Sequence, residues 1–190
     1  MNFEQNKTFN LSELGPKPLK IFTYPAPILK IIAKDVTEFN TELNEFINDM
    51  YKTMYLSRGI GLAAPQVGKS IKLFVSDIDF EFHEENEEII LNANPKVFIN
   101  PVITKKTGET IYEEGCLSFP GVYEKVKRAE KITMTFQDIN GTKKVIEAEG
   151  LEAICLQHEL DHLNGIVFIE KLSPLKQTFL KNKFLKNKKK

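Results

Sequence analysis

The sequence is organised around residues 157–162, Gln157-His158-Glu159-Leu160-Asp161-His162. Histidines four residues apart on an α-helix lie on one face, about one turn apart, so His158 and His162 can reach the same metal ion. Glu159 lies about 100° further round the helix, where its carboxylate can flank the ion and move a proton of a bound water molecule. The spacing therefore predicts a metal-binding helix with an acid–base group beside the ion.

The residues before this motif predict that the helix is buried on two sides. Leu151, Ile154 and Cys155 share the face of the two histidines, and a second apolar row lies roughly opposite, namely Ala153, Leu156, Leu160 and Leu163. A helix that is apolar on two faces lies between layers of a protein. Gly150 precedes the helix and Asn164-Gly165 supplies a stop signal. Two surface histidines without a ligand are the alternative, but buried imidazoles need a partner, and a metal ion suits this spacing.

The whole chain has the length and composition of one globular domain. It has 190 residues, of which 42% are hydrophobic and 27% are charged. Its two cysteines do not make a disulfide framework, and no apolar run reaches the length of a membrane span. The first 20 residues contain Glu4 and Glu13 and lack the apolar core of a secretion signal. We therefore predict a cytoplasmic protein without a membrane partner.

Charge is distributed unevenly along the chain, although the formal net charge is zero. Residues 176–190 contain seven lysines and no acid, so residues 1–175 carry 19 basic and 26 acidic groups, a net charge of −7. An acidic body argues against a nucleic-acid-binding fold. The basic segment is interpreted either as a solvated extension or as an electrostatic contact with a partner. We divide the chain into a loose N-terminal arm (1–20), a single catalytic domain (21–175) and a basic C-terminal helix or tail (176–190).

The remaining pattern predicts an α+β fold. Apolar residues recur at helical spacing from Asn40 to Ser57, and Ser173-Pro174 opens a final basic helix. Alternating stretches predict strands at residues 71–77, 97–101, 103–111, 122–126, 132–138 and 143–148, with a hairpin at Asn140-Gly141. The glutamate-rich residues 80–95 are interpreted as an exposed loop, and residues 113–121 as a turn. We expect antiparallel β-sheets packed around the central metal-binding helix, followed by a C-terminal helix.

A catalytic metal site needs three protein ligands and one open position, so the histidine pair requires a third ligand. Cys155 lies on the histidine face, but it precedes His162 by seven residues, about 10.5 Å along the helix axis. Cys116 lies in a glycine-flanked turn on a separate segment and can approach the ion from its open side. Geometry favours Cys116 as the ligand and makes Cys155 a small buried hydrophobe beside the site.

Two other classes of metal protein share part of this pattern. A zinc endopeptidase of the His-Glu-x-x-His type would need a third histidine or acid downstream, and Glu170 is the only acid after His162. A purely structural metal site would need a fourth Cys or His ligand, for which only His83 and Cys155 are left. Both alternatives are therefore less well supported than a catalytic site with three ligands.

Three separate stretches of the chain together resemble the motifs of the peptide deformylase family. They are the small-residue stretch from Gly59 to Gln66, the stretch Glu114-Gly115-Cys116-Leu117-Ser118, and residues 157–162. They occur in the family's order, and the similarity runs from about Tyr24 to Gln177. The resemblance implies an enzyme that removes the N-formyl group from new polypeptides that begin with formyl-methionine.

The resemblance also implies a role for each matching residue. Three side chains would hold the metal ion, namely Cys116, His158 and His162. A hydroxide formed on the ion would attack the formyl carbon. The Gln66 side-chain amide and the Leu117 backbone N–H would stabilise the developing oxyanion. Glu159 would take the proton from water and pass it to the leaving amine.

The substrate contacts and the cofactor are implied in the same way. Backbone groups that line the entering peptide would belong to Ile60, Gly61 and Gly115. An apolar pocket for the methionine side chain would include Leu151, Ile154 and Cys155. The cofactor would be one divalent metal ion per chain, with Fe²⁺ favoured and Zn²⁺, Ni²⁺ or Co²⁺ able to occupy the same ligands.

Two further expectations concern the surroundings of the site. An ion pair between Glu114 and Arg128 would hold the turn that presents the Cys116 thiolate and the Leu117 N–H. The partners implied are N-formylmethionyl nascent chains and the ribosome, since other members of the family are thought to dock there through a basic C-terminal helix. A solvated tail is the alternative for residues 176–190.

Overall fold

The computed structural model describes residues 7–10, 14, 18–85 and 88–187 of the chain. It has an α+β fold in which antiparallel sheets surround a central helix. The main sheet has five strands, namely β2 (Gly61–Ala63), β3 (Leu73–Ser76), β6 (Lys96–Thr107), β9 (Lys131–Gln137) and β10 (Lys143–Glu149). Their order in the sheet is β10-β9-β6-β3-β2, and the sheet is antiparallel throughout.

The hairpin predicted at Asn140-Gly141 joins β9 to β10. Gly141 has φ +77°, a conformation that glycine adopts without steric cost. Asp138 Oδ1 accepts hydrogen bonds of 2.9 Å from the backbone N–H groups of Asn140 and Thr142. The side chain of Asp138 thus closes the turn and fixes the register of the two strands.

A second, two-stranded sheet carries part of the candidate site. It consists of β7 (Thr110–Gly115) and β8 (Tyr123–Arg128). The single strand predicted over residues 103–111 is wrong, because Gly108 (φ +68°) turns the chain between β6 and β7. The predicted turn also begins later than residue 113, since β7 continues to Gly115.

The glutamate-rich residues 80–95 do not form the predicted loop. They form β4 (Glu81–Glu85) and β5 (Glu88–Ala93), which pair antiparallel with Phe82 opposite Leu91. β1 (Lys7–Asn10), within the segment predicted as a loose arm, pairs with the other edge of β5. The density of glutamates concealed apolar residues that alternate as strands require. The side chain of His83 lies outside the described residues, and the division into arm, domain and tail stays a prediction.

Helix α1 (Thr41–Leu56) confirms the helical pattern predicted from Asn40 to Ser57. Asn40 caps its first turn, because its Oδ1 accepts a 3.0 Å hydrogen bond from the Leu43 backbone N–H. The buried face includes Ile47, Met50 and Met54, none of which is measurably exposed. This face forms one of the principal hydrophobic clusters with residues of β2 and β3.

Helix α2 (Gly150–Leu163) carries the histidine pair and is buried on two sides, as predicted. Ala153, Leu156 and Leu163 pack in one cluster with Phe74 of β3 and Phe98 of β6. The opposite face contains both histidines and is directed away from this cluster. Packing against the sheet thus fixes the orientation of α2 and with it the position of the two imidazoles.

Helix α3 (Pro174–Asn187) lies against a third cluster next to the site. Leu180 and Phe184 are buried, and the Phe184 ring centroid lies 5.1 Å from that of Phe119. Leu175 and Phe179, which form an apolar stripe on α3 together with Leu180 and Phe184, are 82% and 63% exposed. Only half of the stripe is therefore used for packing within the chain.

Candidate active site

Cys116, His158 and His162 come together at one point. The thiol follows the end of β7, and both imidazoles project from α2. One ligand atom of each residue lies within 4.8 Å of those of the other two, and Cys116 Sγ is 3.2 Å from His162 Nε2. Within the described residues, this is the one such group of Cys, His, Asp or Glu side chains. Cys155 lies outside it and directs its thiol toward the Ile60 carbonyl, at 3.5 Å.

The chemistry of this group fits a divalent metal ion. A thiolate and two neutral imidazoles are typical ligands of zinc and of other first-row metals. One buried polar atom beside this group, Glu159 Oε2, has no hydrogen-bond partner among the described residues. Buried polar groups are normally satisfied, so a polar occupant of this site would supply the partner that Glu159 lacks.

A carboxylate supports the first histidine from behind. His158 Nδ1 lies 2.8 Å from Glu114 Oε2, which leaves Nε2 for the ion. Arg128 donates hydrogen bonds of 2.7 and 2.9 Å to the two carboxylate oxygens of Glu114. It donates a further hydrogen bond to Asp161. The predicted ion pair between Glu114 and Arg128 is confirmed. Lys171 also lies 3.0 Å from Asp161, so the network reaches the surface.

These contacts set the charge around the ligands. Burial by itself raises the pKa of Glu114, but hydrogen bonds with Arg128 and His158 lower it to about 2. Burial also opposes a charge on His158, yet hydrogen bonds with Cys116 and Glu114 raise its pKa well above the ordinary value. Burial lowers the pKa of His162, which favours the neutral, ligating form. The surroundings thus favour a positive charge between the ligands.

Glu159 is buried beside the metal ligands rather than among them. It is 4% exposed, and burial raises the pKa of its carboxyl to about 7. The backbone of Gly61 lies directly against it. A Cβ at Gly61 would be 2.5 Å from Glu159 Oε1 and 2.9 Å from Cys155 Sγ, so a side chain there would displace the Glu159 carboxylate. The absence of a side chain at Gly61 therefore allows the backbone of this stretch to lie directly against Glu159.

Gln66 is held with its amide directed toward the thiol. Its Oε1 accepts a 2.8 Å hydrogen bond from the Ala63 N–H, which directs Nε2 to Ser118 Oγ at 3.2 Å and toward Cys116 Sγ at 3.6 Å. Ser118 Oγ in turn donates a hydrogen bond of 2.9 Å to the Phe22 carbonyl oxygen. Ser118 belongs to the second motif, but no feature of the sequence marks it as a residue that orients Gln66.

A cavity of about 620 Å³ opens onto these groups. Every residue predicted for the site lines it except His162, which is buried behind its wall. The remaining lining includes residues with no specific signal in the sequence, among them Arg58, Tyr112, Phe119, Val122 and Tyr123. The pairing of β7 with β8 brings Tyr112 and Tyr123 to the cavity, Phe119 and Val122 lie in the connection between these strands, and Arg58 follows α1. Within the described part of the chain, no helix is long and apolar enough to cross a membrane.

Sequence and structure comparisons both match this chain to peptide deformylases. The sequence model of the polypeptide deformylase family matches residues 18–178. The peptide deformylase of Chromobacterium violaceum is 50% identical over 90% of this chain and 96% of its own length. That of Neisseria meningitidis is 49% identical over the same shares. The crystal structure of the Legionella pneumophila peptide deformylase is 45% identical, covers 91% of this chain and 96% of its own, and superimposes with a TM-score of 0.79.

Proposed function

The chain belongs to the peptide deformylase family and is an enzyme of that kind, and we propose that it hydrolyses the N-formyl group of formyl-methionine at the start of newly made polypeptides with the help of one divalent metal ion. The proposal is carried by the convergence of Cys116, His158 and His162 in one cavity with Glu159. Three ligands and an open side are the arrangement of a catalytic metal site. We assign the role of ligand to these three side chains.

The metal supplies one part of the chemistry. When bound, a divalent ion polarises a carbonyl group and makes water more acidic at neutral pH. Glu114, with Arg128 behind it, orients the His158 ring toward the ion and keeps its second nitrogen free for ligation. Fe²⁺ is our proposal for the resident metal, and Zn²⁺, Ni²⁺ and Co²⁺ suit the same ligands.

Glu159 moves the proton. Its carboxylate accepts a proton from the water that attacks the formyl carbon. It returns this proton to the amine nitrogen when the C–N bond breaks, so formate and a free α-amino group leave the site. Its position one residue after His158, and its packing against Gly61, keep it beside the reacting atoms.

Two donors stabilise the negative charge that develops on the formyl oxygen. The Gln66 amide is oriented by Ala63 and Ser118, and its Nε2 is directed toward Cys116. The Leu117 backbone N–H follows the thiol directly in the chain. Donors that are fixed before the reaction need no reorganisation when the charge appears, which is why they lower the barrier.

The cavity accommodates the start of a peptide. Leu151, Ile154 and Cys155 provide an apolar pocket for the methionine side chain, one to two turns before the histidines. Ile60, Gly61 and Gly115 present backbone groups along the walls. An extended peptide between them can form the main-chain hydrogen bonds of an added strand.

Two locations follow from this substrate. We propose that the enzyme acts in the cytoplasm, where formylated chains are made, and that lysines at the end of the chain contact the ribosome. α3 supports a contact of this kind, because Leu180 and Phe184 hold one side of the helix against the domain while Lys183 and Lys186 remain exposed. Phosphate contacts by lysines weaken steeply with salt, which gives this proposal a direct test.

The activity is tested on formyl-Met-Ala-Ser, with formate release as the readout. Protein purified without oxygen is analysed for metal in parallel, because exposure to air can exchange or oxidise a bound Fe²⁺. We expect one metal ion per chain and activity that is lost on chelation and restored by Fe²⁺. Full activity in metal-free protein would reject the metal-dependent mechanism. No formate release with any of the four metals would reject the substrate.

A further inference from the structure

A second cavity adjoins the active site. It has a volume of about 410 Å³ and shares four consecutive residues, Pro120 to Tyr123, with the cavity of the metal site. One segment of chain therefore forms a wall of both spaces. The opposite wall of the second cavity is α3, through Phe179, Leu180, Lys183 and Phe184. We name this space the α3 groove.

The walls of the α3 groove are attached to the rest of the domain. Leu180 and Phe184 anchor α3 in the hydrophobic cluster that contains Phe119. Lys176 Nζ forms an ion pair of 2.8 Å with Glu124, which ties the start of α3 to β8. A groove whose walls are held by packing and by an ion pair needs little reorganisation to accept an occupant.

Apolar residues, Lys183 and Glu124 line the groove, and the charge of Glu124 is paired with that of Lys176. Phe179 and Tyr123 are 63% and 66% exposed along it, although both are large aromatic side chains. Lys183 also lines the groove, and no ion pair joins it to another of the described residues. An occupant with apolar side chains and carboxylates would cover the rings and neutralise Lys183.

We propose that the α3 groove binds the part of the substrate polypeptide that follows its first few residues. This inference rests on the proposed function. The formylated end of the chain must reach Cys116 and Glu159, so the rest of the chain has to leave the cavity through its open side. The shared segment Pro120 to Tyr123 borders both spaces, so the groove is the cavity next to the metal site on this side. Chains with apolar and acidic residues after the start are therefore favoured over chains with basic ones.

The test compares formyl-Met-Ala-Ser with twelve-residue peptides that begin with the same three residues. Nine additional extended residues span about 30 Å, which exceeds the length of a 14-residue helix, about 21 Å. One long peptide carries Phe and Asp residues in the extension, and the other carries Phe and Lys. The quantity measured is kcat/KM of each long peptide divided by kcat/KM of the tripeptide.

We expect this ratio to be about five to ten for the acidic peptide in the unmodified enzyme, because remote contacts add binding energy to the transition state. Phe179→Ser should bring the ratio close to one. Lys183→Glu should reverse the preference between the acidic and the basic peptide. Leu175→Ser and Lys186→Glu are matched controls, since both residues are exposed on α3 and neither lines the groove. Both controls should keep the original ratio.

Each of the following outcomes overturns the inference. A ratio near one in the unmodified enzyme, or the same ratio in Phe179→Ser and Leu175→Ser, would show that the groove does not bind substrate. A change in oligomeric state of Phe179→Ser with an unchanged ratio would assign the groove to a second copy of the chain. Activity on the tripeptide without dependence on length overturns the groove alone, whereas no activity on any formyl peptide overturns the proposed function and this inference with it.

Discussion

Arg128→Met is expected to destabilise the folded protein and to weaken metal binding at the same time. Arg128 is buried and donates hydrogen bonds of 2.7 and 2.9 Å to Glu114. Without it, the Glu114 carboxylate stays buried and, among the described residues, keeps His158 as its hydrogen-bond partner, whereas Asp161 keeps the Lys171 ammonium at 3.0 Å. Removal of one partner from a buried ion pair costs about 3–5 kcal/mol. We expect the free energy of unfolding to fall by that amount.

The effect on the metal follows from the same contacts. Glu114 orients the His158 ring, and Arg128 holds both of its oxygens in place. Loss of such an outer contact typically weakens metal affinity by about 10–100-fold. Urea unfolding, followed by circular dichroism on chelator-treated protein, measures the stability without the contribution of bound metal. Competition with a chromophoric chelator measures the affinity.

Lys127→Met is the matched control for Arg128→Met. Lys127 precedes Arg128 on β8 and also forms an ion pair, 2.6 Å from Glu109, but the two side chains are 62% and 61% exposed. An exposed pair of this kind contributes about 0–1 kcal/mol. If Arg128→Met lost no more stability than Lys127→Met, or kept the same metal affinity, the reasoning about the buried network would be refuted.

Three further predictions concern the ligands, the proton and the C-terminal lysines. Cys116→Ala is expected to lose bound metal and activity together, whereas Cys155→Ala keeps the metal and loses packing on the order of 1 kcal/mol; stoichiometric metal in purified Cys116→Ala would contradict the ligand role. Glu159→Gln should still bind one metal ion per chain and lose roughly 10²–10⁴-fold in turnover, and a rate within a few-fold of the parent would exclude proton transfer by Glu159. Replacement of the lysines at positions 186 and 188–190 by Gln should weaken co-sedimentation with ribosomes at low salt and leave formyl-Met-Ala-Ser turnover unchanged. Equal sedimentation of both proteins over a salt series would reject the ribosome contact.

The C-terminal test uses substitutions because the structure argues against a truncation. Removal of residues 181–190 would delete Phe184, whose ring packs at 5.1 Å from Phe119 in the cluster beside the site. Loss of a buried aromatic side chain costs about 3–5 kcal/mol. Weaker ribosome binding by a truncated protein could therefore result from lost stability and not from the lost lysines. Substitution of exposed lysines leaves this packing intact.

Much of the site could be predicted from the sequence because its chemistry is local. Two histidines four residues apart share one face of any α-helix, and Glu159 must then flank that face. The apolar residues on both sides of α2 predicted its burial between layers, which the packing of Ala153, Leu156 and Leu163 confirms. The choice of Cys116 over Cys155 also needed only helix geometry and chain separation.

Other features depended on contacts between distant parts of the chain. The two strands within residues 80–95 escaped prediction because charge content suggested solvent, while their pairing with each other and with β1 is decided across the sheet. The same holds for Ser118 and Phe22, which orient Gln66 through a contact over 96 positions of sequence. Spacing along a helix or strand fixes which residues share a face, because the backbone geometry repeats. Which face meets which, and whether a carboxylate such as Asp161 pairs with Arg128 or with water, is settled only when the tertiary structure removes the solvent between them.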